Sequence, residues 1–231
     1  MIESRYANGA YAKQNPMWHS EDSPWKARQI VRLIDQNNLQ VRTVCEVGCG
    51  AGEVLRQLQL SSSTDREFWG YEVSPDAYQI CLKKANPRLH FRLGDVITED
   101  VSFDLLLLID VVEHVPDYMG FLRSVRAKGR YTILHIPLDI SVQSVLRVAP
   151  ILKSRAEVGH LHYFTKETAL GTVKDCGYEV LDWFFTAGTV ELPAQSVKSW
   201  AAKVPRKVMF ALHQELAVRL LGGFSLLVLA Q

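Results

Sequence analysis

The chain has 231 residues, enough to bury a sizeable core, and its 48% hydrophobic and 22% charged residues are an ordinary globular balance. Lys plus Arg number 26 against 25 Asp plus Glu, so no global field draws in a polyanion, and nucleic acid is not implied as a partner. Apolar runs such as 105–109 are too short to span a bilayer, and residues 1–15 are too polar for a signal peptide. We therefore expect a cytoplasmic protein whose four cysteines, at 45, 49, 81 and 176 and without C-x-x-C spacing, stay reduced as packing residues.

Residues 1–22 hold Tyr6, Tyr11, Trp18 and His19 in a polar setting, as a lid over a ligand or as a pinned surface arm. Ser23-Pro24 starts a helix to about residue 37, with Ile30, Val31 and Ile34 on its apolar face. We take 1–40 as lid and first helix, and 41–231 as the main domain. Strand one is 43–47. Glycines at 48, 50 and 52 follow, then a helix over about 51–60. Strand two, 68–73, ends in an acid, and Ser74-Pro75 caps the next helix, which stops before Asn86-Pro87. Strand three is 89–93. The continuous apolar run 103–109 reads as a central parallel strand buried on both faces. A helix over about 117–127 leads to strand five, 131–136, stopped by Pro137.

Residues 138–165 read as an insertion with a helix near 141–153. Thr165 then caps a helix ending near Gly177, and strand six is 178–186. A helical excursion, 194–221, precedes strand seven, 224–230, which we expect to insert antiparallel. Pro205 should divide the excursion, with Met209, Leu212, Leu216 and Leu220 on an apolar face and Lys198, Lys203, Arg206, Lys207 and Arg219 on a basic one. That face can pack on the sheet, cap a substrate, contact a second copy as a dimer, or rest on a membrane surface. The alternation implies an α/β fold: a doubly wound, mostly parallel seven-stranded sheet with an N-terminal lid and a C-terminal helical excursion.

In such a sheet ligands collect at the carboxyl ends of the strands, where this chain has Glu46, the glycines, Glu72, Asp95 and Asp110. A strand that turns at once into a helix presents unpaired N–H groups to a ligand, and a side chain at Gly50 would occupy the ligand's space. Glu72 follows Gly52 at the spacing that brings a carboxylate to ribose hydroxyls, in nicotinamide enzymes as well. A dinucleotide fingerprint, however, needs glycine at 53, where the chain has Glu53. With Glu46 also close to the turn, a ligand with a cationic centre fits better than one with two phosphates.

The segment from Glu46 to Gly52 resembles the first motif of class I S-adenosylmethionine-dependent methyltransferases. Tyr71-Glu72-Val73-Ser74 is similar to their acidic second-strand motif, and Gly94-Asp95-Val96 to their adenine-contacting turn. Phe103-Asp104-Leu105 through Asp110-Val111-Val112-Glu113-His114-Val115 resembles the fourth-strand motif of the small-molecule branch. The resemblance spans about residues 40–190 and implies a Rossmann-like fold. It also implies a cofactor site in which Glu46, Gly48, Gly50 and Gly52 hold the methionine moiety of S-adenosylmethionine and Glu72 the ribose, with Cys49 and Val73 among the cofactor-binding residues. Asp95 would hold the adenine amino group, Val96 the ring face, and Asp110 would border methyl transfer.

Transfer is an in-line displacement at the sulfonium methyl, and a hydroxyl or ammonium acceptor must also lose a proton. His114 is the first candidate base, with His19, His160 and His162 as others. Asp110-x-x-Glu113-His114 with a later His160 or His162 is also similar to a divalent-ion pattern of some quinone and small-RNA 2′-O-methyltransferases. Those have Glu where this chain has the shorter Asp110, so we expect a metal-free enzyme. The expected acceptor is a small molecule. The alternatives are a catalytically silent S-adenosylmethionine-binding module and a metal-assisted 2′-O-methyltransferase of an RNA end. The end of strand four lacks an Asn/Asp-Pro-Pro-aromatic motif, which argues against amino groups of DNA bases.

Overall fold

Leu105, Leu106, Leu107 and Leu108 are all fully buried, so the strand that carries them must be covered on both faces. In the computed structural model, which describes residues 18, 20–62, 65–193 and 197–231 without the side chains of 197–202, it is the centre of a seven-stranded sheet. The strands are β1 (Thr43–Val47), β2 (Glu67–Glu72), β3 (Leu89–Leu93), β4 (Phe103–Ile109), β5 (Gly129–Leu138), β6 (Val180–Thr186) and β7 (Phe224–Ala230). Their order is β3-β2-β1-β4-β5-β7-β6. β1 pairs in parallel with β2 and β4, and only β7 runs antiparallel to its neighbours.

Strand side chains alternate between faces, and the core divides accordingly. Leu105, Leu107 and Ile109 pack with Ile30, Leu33 and Ile34 of α1 (Ser23–Gln36) and with Leu55 and Leu58 of α2 (Glu53–Ser61). Cys81 of α3 (Pro75–Cys81) belongs to the same layer. Leu106 and Leu108 pack on the other side with Leu122 of α4 (Tyr118–Val125) and, beyond two short helices, Val173 of the helix Lys166–Asp175. Each fully buried leucine contributes roughly 1.5–3 kcal/mol relative to exposure. The chain winds outward from β1 to β3, then returns to place β4 on the other side of β1. The crevice at that reversal lies over the carboxyl ends of β1 and β4.

Four expectations need correction. Pro137 does not stop β5, which continues to Leu138 with Pro137 opposite Ser225. His135 O accepts from Asp110 N on the β4 side, and Pro137, two residues on, points its missing N–H the same way, past the last β4 pairing. The helix expected near 141–153 is two helices, α5 (Val142–Arg147) and α6 (Ala149–Lys153), hinged at Val148 with φ 57°. Pro150 cannot donate to Leu146 O, which is where a continuous helix would need it. The helix capped by Thr165 is α7 (Lys166–Asp175), and a reciprocal Thr165–Thr168 bond starts it. A single turn, α8 (Gly188–Glu191), follows β6.

In the C-terminal excursion Pro205 lies inside α9 (Val197–Leu212), and the break falls at His213, whose ring accepts from Leu216 N to start α10 (Gln214–Leu221). Ala217 and Val218 of α10 face the core, while Leu212 is 81% exposed and Leu216 and Leu220 are also on the surface. The stripe 212/216/220 therefore does not pack on the sheet, although Met209 does reach the core. No helix of the described residues is long and apolar enough to cross a membrane.

Candidate active site

The turn after β1 has φ of 68°, 52° and 70° at Gly48, Gly50 and Gly52. Gly48 N and Cys49 N both donate to Tyr71 O, at 2.8 and 3.1 Å, which fastens the turn to β2. The glycines have different reasons to lack a side chain. A Cβ on Gly52 would lie 2.6 Å from the Phe91 ring and 2.9 Å from Cys81 Cβ, so close helix–sheet packing demands glycine there. Among the described residues a Cβ on Gly50 would meet only Trp18 within 4 Å, at 3.9 Å, and would project into the cavity described below.

Glu72, at the end of β2, is buried, and its two oxygens accept from Gly50 N and Ser74 N, each at 2.8 Å. Burial pushes its carboxyl upward, and these backbone donors oppose the shift. Each oxygen keeps lone pairs for a ligand hydroxyl. Glu46 is also buried, and its Oε2 has no hydrogen-bond partner among the described residues. Burial raises its pKa well above the usual range, against the pull of the Lys26 charge. Glu53 is occupied: it binds Arg56 at 2.7 Å and Gln57 at 2.8 Å, so of the two anions beside the turn only Glu46 remains unengaged at one oxygen.

Asp110, just past β4, sits at φ 54°, a costly conformation for a residue other than glycine. Its Oδ2 meets Lys26 Nζ of α1 at 2.7 Å, and its Oδ1 meets His135 Nδ1 of β5 at 2.5 Å. His135 Nε2 reaches Thr186 Oγ1 of β6 at 2.8 Å. Burial alone would raise the Asp110 pKa, but the His135 and Lys26 charges outweigh it and hold the carboxyl far below its usual range. Asp110 stands out in the sequence, whereas Lys26, His135 and Thr186 do not. The one signal available was an ionisable residue, His135, within the apolar run of strand five.

Glu113 is fully buried, and neither oxygen has a hydrogen-bond partner among the described residues. His114 Nε2 and His160 Nε2 face its Oε1 at 3.9 and 4.0 Å. The other ring nitrogens are held from behind, His114 Nδ1 by Gly159 O at 3.2 Å and His160 Nδ1 by Asp139 Oδ2 at 2.6 Å. Burial, with Asp110 and Asp139 nearby, raises the Glu113 pKa well above its usual range. Of the other histidine candidates, His162 turns away to Val115 O at 2.9 Å, and His19 lies outside the described residues. So do residues 1–17, leaving Trp18 to represent the expected lid beside Gly50.

All three clusters line one cavity of about 1270 Å³, more than the roughly 300–1,000 Å³ of a single-ligand pocket. Sheet order sets its flanks: Glu72, Val73 and Asp95 come from the β2 and β3 ends, Asp139 and His160 from beyond β5. Asp95 also accepts from Ile97 N at 2.9 Å to cap the turn Val96–Thr98. Val96 itself is fully buried and does not border the cavity.

Residues 17–182 match a family model described as a methyltransferase domain. The chain belongs to that family. Its fold is that of solved methyltransferases, one of them with bound SAM. The chain is 29% identical over 135 residues to ajmaline N-methyltransferase of Rauvolfia serpentina, covering 48% of this chain and 46% of that one, so it spans about half the length of that relative. Among solved structures it is similar to magnesium protoporphyrin IX methyltransferase of Synechocystis PCC 6803 with bound SAH: TM-score 0.60, 14% identity, 90% of this chain and 83% of that one. It is also similar to the cyclopropane synthase MmaA2 of Mycobacterium tuberculosis: TM-score 0.59, 16% identity, 88% and 84% covered.

Proposed function

We propose that this methyltransferase moves the sulfonium methyl of S-adenosylmethionine to an oxygen or nitrogen of a small-molecule acceptor. The observation that carries this reading is a single cavity with two unlike flanks and volume for two ligands. On the β2 flank, the buried Glu46 oxygen suits the ammonium of the methionine moiety, and Glu72 suits the ribose hydroxyls. Gly50 leaves room for the ligand, and Asp95 and Val73 take the adenine side. The acceptor then lies on the β5 flank, near His114 and His160, under residues of the 138–165 segment and the excursion such as Asp139 and Lys203. The protein's part in the displacement is alignment and exclusion of water, which enclosure of both reactants favours. The relative named ajmaline N-methyltransferase supports an acceptor of small size.

The test is transfer of labelled methyl from S-adenosylmethionine to a panel of small phenols, sugars and amines, with RNA alongside. Label in a small molecule is expected. Label in RNA alone overturns the acceptor class, and cofactor binding with no transfer to any acceptor favours a silent binding module.

A further inference from the structure

Apolar side chains on the surface are concentrated in one region. Of the fifteen large hydrophobic residues exposed among the described ones, ten lie within 142–152 and 204–220. These stretches adjoin Asp139, Val158 and Lys203, which wall the β5 flank of the cavity. A surface helix ordinarily turns its apolar stripe toward the core. α5 instead turns Val142, Val145 and Leu146, at i, i+3 and i+4, to the outside, with Ser144 buried behind them. α9 does the same with Val204, Val208 and Leu212, and α10 with Leu216 and Leu220. The α5 and α10 sets line a common groove. Arg206 of α9 ties the helices together, donating to Gln143 Oε1 of α5 at 3.0 Å and to the carbonyls of Leu221 and Gly222 at 3.2 and 3.1 Å. Val148 at the hinge and Leu152 of α6 add to the exposed set.

The charge among these side chains is one-sided. Residues 140–158 and 203–221 hold seven Lys or Arg against Glu157 and Glu215, in a chain with 26 against 25 overall. Lys153 and Arg219 are engaged, the first with Glu157 and the second with Glu167 and Glu215. Arg147, Arg155 and Lys207 are exposed and make no ion pair among the described residues. Burial and then the nearby charge of Arg147 lower the Arg206 pKa, so two cations sit close together between α5 and α9.

We propose that α5, α6, α9 and α10 form a surface that rests on an anionic lipid bilayer, with the apolar stripes in the headgroup boundary and Arg147, Arg155 and Lys207 on lipid phosphates. Helices that combine an apolar face with basic residues bind in this way, through buried apolar area and attraction to anionic lipid. A second copy of the chain is the poorer occupant. A two-fold contact would set the same basic face against itself, and like charges brought together cost affinity. The surface lies beside the β5 flank of the cavity and does not depend on which molecule accepts the methyl group.

The experiment is flotation of the full chain with phosphatidylcholine–phosphatidylglycerol vesicles and with pure phosphatidylcholine vesicles, at low and high salt. Binding to the anionic vesicles is expected, at least about tenfold tighter than to the neutral ones and weakened by salt. Arg147→Ala combined with Lys207→Ala should weaken it roughly 20–30-fold, at about fivefold for each charge. Leu146→Glu combined with Leu212→Glu should weaken it at least about tenfold. Leu60→Glu, on exposed α2 surface away from these helices, should bind as wild type does. Circular dichroism and thermal unfolding check that each variant is folded, and if the double glutamate variant is not, the double alanine variant carries the comparison. No flotation with anionic vesicles, or flotation unchanged in both double variants, overturns the surface. Light scattering without lipid that shows a dimer, converted to monomer by the double glutamate variant, overturns it in favour of a second copy.

Discussion

On the β2 flank of the cavity both oxygens of Glu72 already meet backbone N–H groups; on the β5 flank the buried oxygens of Glu113 have no hydrogen-bond partner from another residue among the described ones. The first flank is finished by local chain: a strand, a glycine turn and the next strand's end, all tied by main-chain bonds. The second is assembled from side chains far apart in sequence, and its charges balance only through partners such as Lys26 and His135 for Asp110. Damage to the first flank should therefore appear as packing and cofactor defects, and damage to the second as electrostatic ones.

The harshest way to break the comparison is Gly52→Val. Its Cβ would sit 2.6 Å from Phe91 at φ 70°, so we expect a loss above about 3 kcal/mol in thermal or urea unfolding. A stable variant would mean that the turn does not depend on that approach. Asp110→Asn probes the other flank. Removing the charge between Lys26 and His135 should cost roughly 2–3 kcal/mol, less than for a fully buried pair because Asp110 keeps some solvent contact. Its folded pKa is depressed, so the wild-type contribution is whole above about pH 5 and lost as pH falls below about 4. Acid unfolding curves of wild type and variant should converge there, and curves that stay parallel would remove the clamp from the account.

Glu72→Ala should weaken S-adenosylmethionine binding by roughly 1.5–3 kcal/mol in calorimetry. Because Gly50 N loses its acceptor too, part of this reflects a loosened turn. Unchanged affinity in the folded variant would take Glu72 out of the site. Leu212→Lys should be the mildest change. Its side chain lies on the surface, so stability should move by no more than about 0.5 kcal/mol. A larger loss in dilute solution would show that the stripe is covered.

The same contrast explains what could be read from the sequence. β1, β3, β4 and β7 fall where periodicity and composition put them: β4 and β7, buried on two faces, write themselves as nearly continuous apolar runs, and the edge strand β3 as an alternating one. The glycine turn and Glu72 were legible because their spacing is local. Lys26 was not, since a lysine on a helix reads as a solvated face until a carboxylate from β4 arrives beside it. Glu113, His114 and His160 were legible as candidates, yet which of them converge depended on Asp110 being claimed elsewhere, a competition no spacing records. The helix breaks went astray for a different reason. Pro205 is accommodated within α9, whereas His213 stops it by capping the next helix, and a histidine cap gives little sign of itself in sequence.

The chain of contacts from Lys26 through Asp110 and His135 to Thr186 has a consequence for biosynthesis. Thr186 is held by β6, and β6 pairs only with β7, residues 224–230, among the described strands. While the ribosome is still translating the excursion, β1 to β4 and the glycine turn can already form, but His135 has no lasting partner at Nε2. The nascent chain would thus display a half-made cleft, with a buried lysine–aspartate–histidine array open on one side, until the seventh strand emerges and slots between β5 and β6. Pairing of such long sequence separation is the slow part of folding, so the acceptor flank should be the last region to gain protection from proteolysis during synthesis.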